Sequence, residues 1–159
     1  MCILDKPVFF RICWTVVDRR TQGQINPKRK LYADPDGEMC SRIARAVGYG
    51  GNPEHKRNPG DFGLEPPSAH HKQPTKSLCD TVEIFERKTA LRLLKKGARR
   101  GMFSRQFRGD FPQNIWSVTD QGEVLEAQLE NRELGTYHGY PMEPTDPLAE
   151  TILERWQAS

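Results

Sequence analysis

The chain has 159 residues, of which 36% are apolar, and a formal net charge of +3 at neutral pH. This length suits a single domain over residues 1–159 with a modest core, and no apolar run approaches the about 20 residues of a membrane span. The four cysteines form no CxxC pair, and no secretory signal pattern follows Met1, which argues against a disulfide framework and for reduced thiols. We therefore expect a cytoplasmic domain without a membrane partner.

The charges are divided unevenly along the chain. Residues 1–110 contain 22 Lys and Arg against 12 Asp and Glu, whereas residues 111–159 contain 2 against 9. Such polarity predicts a basic face for a polyanion and an acidic face elsewhere on the domain. Ordinary solvation of both faces is the alternative.

The first part of the chain alternates short predicted elements with irregular segments. Residues 9–17 are rich in β-branched and aromatic side chains and predict a strand, while residues 21–30 predict a loop. A helix is predicted over residues 38–47, and the glycines that follow it are typical of a helix end. Residues 50–76 are rich in proline and glycine and show no sustained period, and a loop of this length is either functional or disordered.

A basic amphipathic helix is predicted next. Asp80 and Glu83 have the spacing of a capping box, and an apolar stripe then continues to Gly101. No acidic residue occurs between Arg87 and Gly109, which favours a surface for a phosphate backbone over an ordinary solvated face. We expect four basic side chains to contact the substrate backbone: Arg92, Lys95, Lys96 and Arg99.

The last part of the chain changes to a period of two. Residues 114–119, 123–129 and 136–142 are separated by turn residues and predict a three-stranded meander. A closing helix is predicted over residues 147–156. The expected fold is therefore α+β, with N-terminal helices and a basic helix packed on a small antiparallel β-meander.

The first candidate catalytic group lies in the long loop, where His55 precedes Lys56 and Arg57. An imidazole exchanges protons near neutral pH, and adjacent cations hold a phosphate and stabilise charge on its oxygens. We predict that His55 and Lys56 are catalytic and that Arg57 binds the substrate. A purely structural role for the histidine is the alternative.

His138 is the second candidate catalytic residue. Cleavage of RNA by acid–base chemistry requires one group that takes the proton of the 2′-hydroxyl and one that protonates the leaving 5′-oxygen. The 2′-oxygen is an internal nucleophile, so the reaction needs neither a metal nor another cofactor. We predict that His138 complements His55, and the alternative is a strand end that serves the core.

Four further residues are predicted to contact the substrate: Tyr137, Tyr140, Trp116 and Ser117. Either tyrosine would stack on an unpaired base, a contact worth about 1–3 kcal/mol. Trp116 and Ser117 are neighbours in a strand and point to opposite faces, so one packs in the core while the other faces a groove. Core packing is the alternative for the three aromatic rings.

The segment His55-Lys56-Arg57-Asn58-Pro59-Gly60-Asp61-Phe62-Gly63-Leu64 resembles the basic-histidine and Asp-Phe-Gly-aliphatic motif of colicin D-like tRNase domains. Those toxins are small ribonucleases in which N-terminal helices precede an antiparallel meander. The resemblance implies metal-independent cleavage of RNA, often tRNA, and an acidic immunity protein or antitoxin as a partner. It matches His55 to the motif histidine and Lys56 to a catalytic cation, although in that family the lysine precedes the histidine.

The expected function is thus a metal-independent endoribonuclease, a toxin or defence effector that acts on RNA. One alternative is a winged-helix DNA-binding regulator or antitoxin, with a basic helix and a two-stranded wing within residues 90–129. The wing would place Glu123, Glu126 and Glu130 beside phosphates, which argues against this alternative. A protein-interaction module whose acidic C-terminal part docks a basic partner is another.

Overall fold

The computed structural model of the protein describes residues 26–51, 82, 84 and 86–159. The predicted strand over residues 9–17 and all but the first two residues of the loop predicted over residues 50–76 lie outside this described part. The elements, in chain order, are a 3-10 turn Pro27–Arg29, α1 Gly37–Ala46, β1 Gly48–Tyr49, α2 Arg87–Arg99, β2 Phe107–Arg108, β3 Phe111–Pro112, β4 Asn114–Val118, β5 Val124–Asn131, β6 Thr136–Pro141 and α3 Pro147–Ala158.

A four-stranded sheet in the order β1-β6-β5-β4 forms the centre of the described fold. Strands β4, β5 and β6 are the predicted antiparallel meander, and β1 adds a short parallel pairing with β6. Helices α1 and α2 pack on one side of the sheet and α3 packs on the other. The predicted α+β class is confirmed. Strand β1 was not predicted, because two residues are too few to show an alternating pattern.

The helix boundaries follow their caps. Asp36 caps α1 by accepting a hydrogen bond of 2.7 Å from the Met39 N–H, and Asp146 caps α3 by accepting one of 3.0 Å from the Leu148 N–H. Helix α2 begins at Arg87 without a side-chain cap, later than the start predicted from Asp80. Within the described residues, no helix has the length and apolar character needed to cross a bilayer.

Helix α2 packs unusually close to the sheet. Its sheet-facing side contains Gly97, which lies directly above the β4 backbone, and a Cβ atom there would overlap the carbonyl oxygen of Trp116. Leu94 and Ala98 flank this contact and are almost fully buried. The absence of a side chain at Gly97 therefore sets the distance between α2 and β4.

The outer edge of β4 is covered by the chain that leaves α2. The Trp116 N–H donates to the Met102 carbonyl at 2.8 Å, and the Ser104 N–H donates to the Asn114 carbonyl at 2.9 Å. The Ser104 hydroxyl also accepts from the Asn114 N–H at 3.0 Å. These bonds satisfy backbone groups that an edge strand would otherwise expose.

The β4–β5 hairpin is an integral part of the sheet. Every residue of β4 is buried, because α2 covers one face of the strand and α3 covers the other. The hairpin is thus held between α2 and α3 along the whole of β4.

We expect the substitution Gly97→Ala to destabilise the fold. In an ordinary helix interior this change stabilises by about 1 kcal/mol, because glycine is the poorer helix former. Here the added methyl group meets the Trp116 backbone, which cannot move without disturbing β4, so we expect a net loss of about 1–3 kcal/mol. Urea unfolding followed by circular dichroism measures the change.

Gly37→Ala is the matched control, because a Cβ atom at Gly37 meets no atom within 4 Å. That variant should be neutral or slightly more stable than the wild type. Equal stability of the Gly97→Ala and Gly37→Ala variants would contradict the proposed contact.

Candidate active site

Two rows of side chains cross β4, β5 and β6 on the side of the sheet that faces α3. In strand order the rows are Asn114, Gln128 and His138, and Trp116, Glu126 and Tyr140. Helix α3 packs on Trp116, whereas the other five side chains are polar or amphipathic. We call these five residues the polar face: Asn114, Glu126, Gln128, His138 and Tyr140.

Glu126 is the most deeply buried member of the polar face, with a side chain that is 0% exposed. Arg29 binds its carboxylate through both ends of the guanidinium, from Nε to Oε1 at 3.1 Å and from Nη2 to Oε2 at 2.5 Å. Asn114 donates from Nδ2 to Oε1 at 2.6 Å, and the Tyr140 hydroxyl also hydrogen-bonds to the carboxylate. A buried carboxylate requires such a complete set of donors.

Arg29 also joins the polar face to α3. Its Nη2 atom donates to Oδ2 of Asp146 at 2.8 Å, while Oδ1 of the same carboxylate caps the helix at the Leu148 N–H. One guanidinium therefore links the 3-10 turn, the centre of the sheet and the start of α3.

The buried charges alter one another's proton affinities. Burial raises the pKa of Glu126, and the bonds from Arg29 lower it without cancelling the effect of burial, to which the charge of Asp146 adds. Burial alone would lower the pKa of Arg29, but its bonds to Glu126 and Asp146 outweigh burial and raise it. Burial, followed by the charge of Glu126, raises the pKa of Tyr140, so this phenol stays protonated at neutral pH.

His138 lies at the half-buried end of the polar face. It stands opposite Gln128 in the sheet register, which places the two Cβ atoms about 4.5–5.5 Å apart. Gln128 donates from Nε2 to the Tyr140 hydroxyl at 2.6 Å. The imidazole therefore shares its face of the sheet with a phenol whose orientation is fixed by Gln128 and Glu126.

Of the predicted site residues on the meander, His138 and Tyr140 lie on one face of the sheet and are both half-buried. Tyr137 and Trp116 are both 0% exposed, and the Tyr137 hydroxyl donates to the Pro112 carbonyl at 2.6 Å inside the core. Neither ring offers a face to a base, which corrects their predicted role as substrate contacts. Ser117 is buried on the α2 side of the sheet, away from His138.

The predicted basic residues of α2 divide into two groups. Arg92 and Arg99 are exposed and Lys95 is half-buried, and all three lie on the outer side of the helix. Lys96 instead turns towards α3, with Nζ 3.4 Å from Oδ1 of Asp120 and 5.4 Å from the ring centre of Trp156. Lys96 therefore lies apart from the other three, and its predicted role as a substrate contact stays a prediction.

The remaining predicted catalytic group, His55 with Lys56 and Arg57, lies outside the described residues and stays a prediction. Among the residues that the structure describes, no group of three or more His, Cys, Asp or Glu side chains is placed to hold a metal ion.

Sequence reasoning missed Arg29, Asn114, Glu126 and Gln128. A signal existed for two of them, because Glu126 and Gln128 alternate with apolar residues in β5 and so share one face with Val124. Arg29 is 97 residues from Glu126 along the chain, and no local pattern connects the pair.

We expect Arg29→Met to cost about 3–5 kcal/mol of folding free energy, because it leaves the Glu126 carboxylate buried without its cation. Lys96→Met is the matched control, since it removes a cation from an ion pair whose side chains are 42% and 82% exposed; this loss should stay below about 1 kcal/mol. Urea unfolding measures both, and equal losses would show that Arg29 contributes no more than a surface cation.

The deficit of the Arg29→Met variant should depend on pH. Burial raises the pKa of Glu126 above its ordinary value of 4.5. The stability that this group contributes is therefore fully present below pH 4.5 and is lost as the pH rises through the raised pKa of the folded state. Without Arg29 the pKa rises further. The difference in unfolding free energy between wild type and variant should therefore be largest at neutral pH and shrink towards pH 4.5, and a difference that grows on acidification contradicts this account.

Comparison of the chain with protein-family models, with curated proteins and with solved structures gave no match.

Proposed function

We propose that the protein is a metal-independent endoribonuclease that cleaves RNA at the polar face. The observation that supports this most directly is the placement of His138 beside Tyr140, on a surface whose polar groups are held by the buried Arg29–Glu126 pair. An imidazole next to fixed hydrogen-bonding groups is suited to acid–base catalysis near neutral pH.

The proposed reaction is an internal displacement at phosphorus. The 2′-oxygen forms a bond to phosphorus while the bond to the 5′-oxygen breaks, which leaves a 2′,3′-cyclic phosphate and a free 5′-hydroxyl. One group accepts the 2′-hydroxyl proton and another donates a proton to the leaving oxygen. His138 takes one of these roles and His55 takes the other.

We assign the second proton-transfer role to His55 because of its side-chain chemistry and its short separation from Gly51 along the chain. Gly51 precedes His55 by four residues, and its N–H donates to the Tyr137 carbonyl at 3.3 Å, next to His138. Four residues span at most about 14 Å, so covalent geometry permits the two histidines to act on one phosphate. Lys56 and Arg57 would then hold the phosphate oxygens.

Tyr140 and Glu126 have supporting roles in this mechanism. Because the pKa of Tyr140 is raised by burial and by Glu126, the phenol keeps its single proton and donates it to the Glu126 carboxylate. Its oxygen accepts from Gln128, so Tyr140 holds Gln128 in place opposite His138. Glu126 is too deeply buried to reach the substrate and acts as a positioning residue for Tyr140. No step requires an external nucleophile or a change of oxidation state.

The biological setting that fits this activity is a cytoplasmic toxin or defence effector. An RNA with exposed loops, such as tRNA, is the proposed substrate, and an acidic immunity protein or antitoxin is the proposed partner. The excess of basic residues in the first 110 positions and the resemblance of residues 55–64 to colicin D-like tRNase domains support both suggestions.

The proposal predicts discrete cleavage of total tRNA by the purified protein in the presence of EDTA. The fragments should end in 2′,3′-cyclic phosphate, and His138→Ala should slow cleavage by about 10²–10⁴-fold because a proton-transfer group is lost. Denaturing gels with end-group analysis measure both, and circular dichroism checks that the variant is folded.

His71→Ala is the control, since this histidine belongs to no proposed site, and it should cleave at the wild-type rate. His55→Ala tests the second proton-transfer group separately and should be as slow as His138→Ala. Intact RNA after incubation with the wild type, or equal rates for wild type and His138→Ala, would overturn the proposed function.

A further inference from the structure

We propose that the outer side of α2 is a second RNA-binding site, separate from the polar face, that selects long substrates by holding their phosphate backbone. This inference rests on the proposed function and extends it to the class of RNA that is cleaved. The site is the cationic stripe, which consists of Lys88, Arg92, Lys95 and Arg99.

The spacing of the cationic stripe follows the helix period. Its members are separated by four, three and four residues, so they lie in one line along the outer side of α2. At 1.5 Å per residue the line is about 16 Å long. Together with Glu86, Thr89 and Leu91, the stripe lines an open depression on the outer side of the helix.

The stripe does not contribute to the fold in the way that the other α2 cations do. Arg100 donates to the Ser159 carbonyl at 2.7 Å and packs over the Trp156 ring at 4.1 Å, and Lys96 pairs with Asp120. By contrast, none of the four stripe residues forms a salt bridge within the described part of the chain. Like charges four residues apart in a helix repel each other, so the stripe carries a cost that a bound polyanion would remove.

RNA fits the stripe better than a protein partner does. A row of cations along an extended line matches the regularly repeated charges of a phosphate backbone. A stable protein interface needs an apolar centre, and Leu91 is the one large apolar side chain among the described residues that line the depression. Double-stranded RNA is read mainly through its backbone and shape, which is the contact that such a row can make.

The position of the stripe limits the substrates that it can hold during cleavage. The stripe faces away from the sheet, whereas His138 lies on the opposite side of the sheet, so a helix about 10–12 Å thick and the sheet itself separate them. Arg87, at the start of α2, donates from Nε to the Tyr49 carbonyl at 2.7 Å. Tyr49 belongs to β1, a two-residue strand at the edge of the described part of the sheet, beside β6.

Strand β1 therefore lies between the Lys88 end of the stripe and β6, the strand that carries His138. A short oligonucleotide bound at His138 does not extend past β1 to the stripe. An RNA of tRNA size does, with a helical arm on α2 and an unpaired segment at the polar face.

The test compares kcat/KM for total tRNA and for a short single-stranded oligonucleotide. The variant Arg92→Glu plus Arg99→Glu should lower the ratio of the two values at least tenfold, because only the longer substrate reaches the stripe. The affinity of the variant for tRNA should also depend less on salt concentration. The slope of log affinity against log salt should fall by about 0.7–0.9 for each phosphate that the variant no longer neutralises.

The matched control is Arg42→Glu plus Arg132→Glu, which reverses the same number of charges on α1 and on the β5–β6 turn. It should keep the wild-type substrate ratio. A ratio in the stripe variant equal to that of the wild type or of the control would overturn the inference.

Binding of tRNA to His138→Ala, measured by fluorescence anisotropy with and without the stripe substitutions, separates this inference from the proposed function. Binding that depends on the stripe supports the second site even if the wild type cleaves no RNA. Binding that is unchanged by the stripe substitutions, with cleavage intact, overturns the second site alone.

Discussion

The buried ion pair between Arg29 and Glu126 is the constraint on which the arrangement of the described fold depends. A carboxylate that is shielded from water needs both a cation and hydrogen-bond donors, because an uncompensated buried charge costs several kcal/mol. Arg29 meets this need from the 3-10 turn, and through Asp146 it also fixes the start of α3. The same carboxylate holds Tyr140 on the polar face. One electrostatic requirement thus sets the position of three chain segments and of the candidate active site.

A second constraint is steric and acts on the other side of the sheet. Gly97 lets α2 lie close to the β4 backbone. The apolar side of the helix therefore packs directly on the sheet. The cations of α2 are then left either beside α3, as Lys96 is, or on the outer side, as Arg92 and Arg99 are. The separation of the cationic stripe from His138 follows from this packing, so the two surfaces cannot be merged without rebuilding the helix–sheet contact.

The sequence predicts those elements whose signals are local. The helix predicted over residues 38–47, the period-two strands and the closing helix all depend on residues that are close along the chain, and the structure contains them. The start of α2 and the pairing of β1 with β6 depend on tertiary contacts, which no local pattern indicates. The candidate site shows the same division. The chemistry of His138 and Tyr140 is enough to single them out. Glu126 alternates with apolar residues as a solvent-facing acid does, and its burial depends on Arg29, which is distant along the chain.

The composition of β5 shows what the polar face costs the fold. Val124 belongs to the apolar cluster under α3, and Glu126 and Gln128 continue the same face with groups that must find hydrogen bonds. Apolar residues at these positions would extend that cluster without the cost of burying a charge. Stability alone therefore does not account for a carboxylate at the centre of the sheet. The carboxylate fixes the orientation of Tyr140, because a fixed phenol requires an acceptor of fixed position, and a buried carboxylate held by Arg29 provides one.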